Sequence, residues 1–116
     1  MGEYRTDRVG NLIQEKISSL LSGGKIKDPR VNSFLSVTRV QVSRDFSWAD
    51  VYISTFKPET SLAKGVLGLQ SAAGFIQSML AREIRLRQTP RLRFHEDNSI
   101  REGFEMVKKL EDLNAE

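Results

Sequence analysis

Apolar residues recur every three or four positions in three stretches of the chain and alternate with polar ones in three others. From Val9, the residues Leu12, Ile13, Ile17, Leu20 and Leu21 line one face of a predicted helix. It begins at Thr6 or Asp7, both good caps, and runs to about Leu21, where Gly23 and Gly24 stop it. Lys25 to Arg30, with Pro29 inside, reads as a loop. Residues 34–43 read as a strand whose phase slips, with Leu35 and Val37 on odd positions but Val40 and Val42 on even ones. The slip predicts a bulge near Thr38 and Arg39, or a strand buried on both faces. After a turn at 44–48, Ala49, Val51 and Ile53 alternate with Asp50, Tyr52 and Ser54, so 49–56 closes a hairpin with one wetter face. Residues 91–95 alternate again, Leu92 and Phe94 inward and Arg91, Arg93 and His95 outward. Ser99 and Glu102 form a capping box for a last helix striped by Ile100, Phe104, Val107, Leu110 and Leu113.

The organising stretch is 61–87, where Leu62, Val66, Leu69, Ala73, Ile76, Leu80 and Ile84 keep helical spacing. A single straight helix of that length would run about 40 Å, at about 1.5 Å per residue, against about 30 Å for a small domain. It must bend. With no proline inside it, the small patch Ser71-Ala72-Ala73-Gly74 is the expected place, and Gly74 its centre. The second half carries Arg82, Arg85 and Arg87 and should end before Thr89-Pro90. A broken helix offers N–H groups to an anion, and small side chains let a phosphate backbone approach. The alternative is that these small residues serve close packing alone. The element order is α-β-β-α(kink)α-β-α, an α+β domain with a three-stranded sheet and helices on one face, spanning 1–116 as one domain.

Composition narrows the function. The 116-residue chain has no cysteine, which excludes disulfides and thiolate metal sites. No apolar run approaches the ~20 residues of a membrane span, and the N-terminus lacks a signal peptide's apolar core. The net charge is +3, but its distribution says more. Residues 79–95 set five arginines against Glu83, whereas 96–116 set seven acids against Arg101, Lys108 and Lys109. A basic middle and an acidic end are different surfaces. No catalytic constellation stands out: His95 is the lone histidine, Gly65, Gly68 and Gly74 lie within a helical pattern, and Asp28, Glu96 and Asp97 lack the spacing of a calcium loop. No metal, cofactor or enzyme activity is expected.

The basic residues are the stronger signal. Arg5 and Arg8 flank the first helix entrance, Lys25, Lys27 and Arg30 line the first loop, and Arg44 sits in the hairpin turn. Arg82 lies in the second half of the bent helix, Arg85 and Arg87 would end it, and Arg91 and Arg93 lie on the adjoining strand, so the last four could converge on one surface. Guanidinium forks suit phosphate oxygens, although the helix C-terminus accounts for part of the set. Phe34, Phe46, Trp48, Tyr52 and Phe56 read as core more than as stacking platforms. Phosphate and shape contacts are therefore favoured over base readout.

Several short runs resemble one family. Arg5-x-x-Arg8-Val9, Ile26-Lys27-Asp28-Pro29-Arg30, Val42-Ser43-Arg44-Asp45-Phe46 and Ala49-x-Val51-Tyr52-x-Ser54 are similar to bacterial ribosome-binding factor A. So are Ala72-Ala73-Gly74-Phe75-Ile76, Leu86-Arg87-x-x-Pro90-x-Leu92-x-Phe94 and Asp97-Asn98-Ser99 with Gly103. The resemblance implies a type II KH-like fold whose Ala-x-Gly kink, here Ala72 and Gly74, replaces the GxxG loop of RNA-gripping KH domains. It also implies a cytoplasmic factor, monomeric off the ribosome, that binds the small (30S) subunit and its 16S rRNA. Such a factor assists late maturation and processing of the precursor 5′ end, with a role in cold adaptation. The competing expectation is a protein-interaction module, using the acidic last helix or an open sheet face.

Overall fold

The computed structural model describes residues 5–57 and 60–98; the expected last helix lies outside them. Helix α1 (Thr6–Ser22) is followed by strands β1 (Leu35–Val42) and β2 (Trp48–Thr55), helices α2 (Leu62–Ser71) and α3 (Ala73–Glu83), and strand β3 (Arg91–Glu96). The sheet order is β1-β2-β3, with β1 antiparallel and β3 parallel to β2. This is an α+β fold of three helices and a three-stranded sheet.

Arg5, not Thr6 or Asp7, caps α1, and no side chain closes that end; the Asp7 carboxylate instead accepts from the N–H of Arg8. Val9, Ile13 and Ile17 are fully buried against β1, each worth about 1.5–3 kcal/mol relative to exposure. A Cβ at Gly10 would come within 3.0 Å of the Val40 carbonyl oxygen, so only glycine lets helix and strand backbones meet there.

The bulge expected from the phase slip is present. Val37 pairs with Ile53, yet Arg39 pairs with Tyr52, leaving Thr38 as the extra residue. It turns Val40 and Val42 inward after Leu35 and Val37, and it sends Arg39 outward. The Gln14 side-chain amide of α1 donates to the Val37 carbonyl at 3.3 Å, tying the helix to the strand beside the bulge.

All the fully buried sheet residues, Ala49, Val51 and Ile53, share the face against which the helices pack, together with Leu92 and Phe94. The other face, among the described residues, carries no helix. The free edge of β3 is covered from the side. Gln70 accepts from the Phe94 N–H at 2.9 Å and donates to the Leu92 carbonyl at 3.1 Å, while Gln77 accepts from the Leu92 N–H at 3.0 Å. One glutamine stands on each side of the helix break, so the break sets how both reach the strand. That arrangement blunts an edge that would otherwise recruit another strand.

Candidate nucleic-acid interface

The long helical stretch is broken, but at Ala72. This residue has φ −90° and ψ 4°, its N–H bonds to the carbonyls of Gly68 and Leu69, and α3 resumes at once. Such dihedrals need no glycine. Gly74, the expected centre of the bend, lies exposed inside α3 with open space where a Cβ would stand. Gly74→Ala is therefore expected to raise stability by about 0.5–1 kcal/mol through helix propensity. Denaturant unfolding that showed a loss would contradict the helical placement of Gly74.

Beside the break the helix is closely packed at its small side chains. A Cβ on Gly68 would sit 2.9 Å from Val31 Cγ2 and 3.0 Å from Arg30 Cβ, so the loop after α1 lies directly on α2. Arg30 then reaches the break: its Nη2 donates to Ser71 Oγ at 3.2 Å. Its Nε and Nη2 also grip both oxygens of Asp28, at 3.0 and 2.8 Å. This side-chain hydrogen bond lowers the Asp28 pKa to about 2, against its ordinary 3.8. The contact is thus intact above the ordinary value and is lost as pH falls through about 2.

Between loop and break lies a cleft of about 250 Å³ lined by Lys25, Lys27, Asp28, Ser71, Ala72 and Phe75. Phe75 is 47% exposed. Lys25 and Lys27 make no ion pair among the described residues, so both ammonium groups are available to an anion, whereas Arg30 is committed to Asp28 and Ser71. A larger cleft of about 340 Å³, lined by Leu20 to Gly24, Ile26 and Val31 to Ser33, carries no charged residue.

The remaining basic residues are distributed. Arg5 and Arg8 stand exposed at the α1 entrance, and Arg44 is exposed in the hairpin turn. In that turn Phe46 adopts φ +61°, and Asp45 accepts from Ser43 and Ser47. Arg82 leaves the last turn of α3. Arg85 and Arg87 do not end the helix, contrary to the expectation from sequence: α3 stops at Glu83 because Ile84 turns extended and is buried, and Leu86 packs on the core. Both arginines are exposed on the connection to β3.

Arg91 and Arg93 belong to the open sheet face, in a cluster that sequence reasoning did not assemble. Arg93 pairs with Asp50 (2.9 Å) and lies 4.3 Å over the Trp48 ring, with Arg91 at 5.9 Å. His95 Nε2 is 2.7 Å from the same Asp50 oxygen and its ring stacks on Tyr52 at 5.1 Å. Arg39 covers Tyr52 at 4.2 Å. Burial pushes the Asp50 pKa up, but hydrogen bonds from His95 and Arg93 and their charges outweigh it, leaving a net lowering. In the sequence Trp48 reads as part of the turn and Arg39 as part of a bulge of unknown direction, so neither signals this face.

Among the described residues no group of three or more His, Cys, Asp or Glu side chains could hold a metal, and no helix is long and apolar enough to cross a membrane. The arrangement offers fixed positive charge and stacked planes.

The family model for ribosome-binding factor A matches residues 5–110. The chain belongs to the ribosome-binding factor A family. It is 51% identical over 113 residues to ribosome-binding factor A of Treponema denticola, covering 97% of this chain and 86% of that one. The fold is similar to the crystal structure of ribosome-binding factor A from Thermus thermophilus, with a TM-score of 0.66 and 27% identity over 80% of this chain and 97% of that one. It is also similar in fold to coordinates of Thermus thermophilus ribosome-binding factor A fitted into a cryo-EM map of a 30S complex, with a TM-score of 0.64, 24% identity, and 80% and 96% of the two chains covered.

Proposed function

We propose that the protein is a non-enzymatic assembly factor that binds the small ribosomal subunit through 16S rRNA. The observation that carries this reading is family membership along nearly the whole described chain, since a Thermus relative has been fitted into a 30S complex. The cleft beside Ala72 is its anion-binding site, with Lys25 and Lys27 as the free cations and Phe75 as an apolar wall. Arg5, Arg8, Arg44, Arg82, Arg85 and Arg87 supply further phosphate contacts. The fold is a single type II KH-like domain in which the Ala72 break stands where a GxxG loop would grip nucleotides. Acting in the cytoplasm as a monomer off the ribosome, the protein stabilises one rRNA conformation by binding it better than its competitors. It thereby aids late maturation and processing of the precursor 5′ end, and matters most in the cold.

Co-sedimentation with small subunits across a salt series tests the reading. With about eight phosphate contacts the logarithm of the affinity should fall linearly with that of salt, with a slope of about −6 to −7. Salt-insensitive binding would remove the electrostatic mechanism. Binding to subunits but not to purified 16S rRNA would favour the protein-interaction alternative.

A further inference from the structure

The cleft belongs to the helix layer, but the opposite side of the sheet carries a second cluster built in cross-strand rows. Arg39, Tyr52 and His95 occupy one row across all three strands, Gln41, Asp50 and Arg93 the next, and Trp48 and Arg91 the third. Each lies on the face that carries no helix among the described residues. The side chains of Arg93 and His95 remain 47% and 41% exposed although both touch Asp50.

We propose that this face is a second binding surface, which takes a single-stranded RNA segment through base stacking. This rests on the reading of the protein as an rRNA binder and extends it to a surface separate from the cleft. Three features carry the inference. The first is charge: Arg39, Arg91 and Arg93 outnumber the carboxylates of Asp50 and Asp97, and Asp97 is held by Thr38 at the end of β3, so the face is positive and suits an anionic backbone. Another is geometry. Arg39 lies over Tyr52 and Arg93 over Trp48, each close enough to hold the guanidinium against its ring. Guanidinium planes and aromatic rings are the groups on which unpaired bases stack. The third is pre-organisation, because Asp50 ties Arg93 and His95 together and little ordering remains for binding. Unpaired bases are required, since a duplex presents no base faces to a flat sheet. An acidic peptide would use the charge but not the stacked planes.

Trp48 is the chain's single tryptophan and therefore a reporter on this face. The protein is titrated with an oligouridylate of about 12 nucleotides, within the span one such surface accommodates. We expect saturable quenching of Trp48, weakened at least tenfold by Arg39→Glu, an exposed change that should leave the thermal unfolding midpoint unmoved. Absence of quenching, an equal response to Arg39→Glu, or an equal response to an RNA duplex or to polyglutamate would overturn the proposal. If quenching fails while salt-dependent binding to small subunits persists, only the second surface falls; if binding to small subunits fails, the reading beneath it falls too.

Discussion

Deleting Val40 is expected to unfold the domain. The bulge lets Leu35 and Val37 face the helices on one side of it and Val40 and Val42 on the other. Without Val40, a kept bulge turns Gln41 inward and Val42 to solvent, and an absorbed one turns Arg39 inward; loss of Thr38 would instead let Leu35, Val37, Val40 and Val42 alternate without interruption. Two apolar side chains lost from the core cost about 1.5–3 kcal/mol each, and burial of an unpaired polar group adds about 1–3 kcal/mol more. The sum is on the order of the whole stability of a small domain, about 5–15 kcal/mol. Circular dichroism of the deletion variant should show a loss of cooperative thermal unfolding at temperatures where the parent is folded. A variant that melts within a few degrees of the parent would mean that β1 re-registers freely, and that the bulge does not fix the orientation of Arg39.

The second large effect concerns binding rather than folding. Lys25→Glu with Lys27→Glu reverses both free cations of the cleft without touching the Asp28–Arg30–Ser71 contacts that hold the loop on α2. Because both residues are exposed, the unfolding midpoint should be unchanged. Affinity for small subunits should fall on the order of 10- to 100-fold at moderate salt, and the salt slope should become shallower by roughly 1.5, from two lost phosphate contacts. Sedimentation of wild type and variant over the same salt series reads both quantities. Equal affinities would take the cleft out of the interface, leaving the exposed arginines elsewhere to account for binding.

The contrast between these two changes explains what could be read from sequence. The bulge was legible because burial on one face forces a period of two, and a slip in that period has few remedies. That the long helix must break was legible from its length. The patch 71–74 was legible as the place, but not that the break falls at Ala72 and leaves Gly74 inside α3, because Arg30 and Val31, which pack on α2 at Gly68 and Ser71, are distant in sequence. The basic residues were visible as a set, yet their availability was not. Arg30 is tied to an aspartate two residues away, and Asp-Pro-Arg at 28–30 was a signal for that pairing. Arg93 is tied to Asp50 across a strand pair that only the fold creates. Gln70 and Gln77 carried no signal, since a glutamine on a helix gives no hint of the strand edge it will meet.

The parallel pairing of β3 with β2 orders the making of the sheet in time. The hairpin can close as soon as residues 35–55 exist, but β3 has no neighbour until both intervening helices have been made and have carried the chain back to the start of β2. Pairing over so long an intervening segment is intrinsically slow compared with hairpin closure. On the translating ribosome, Tyr52 and Trp48 are therefore present before Arg91, Arg93 and His95 arrive to complete their rows. An emerging chain cannot display the finished sheet face until residues 91–96 are free to pair with β2.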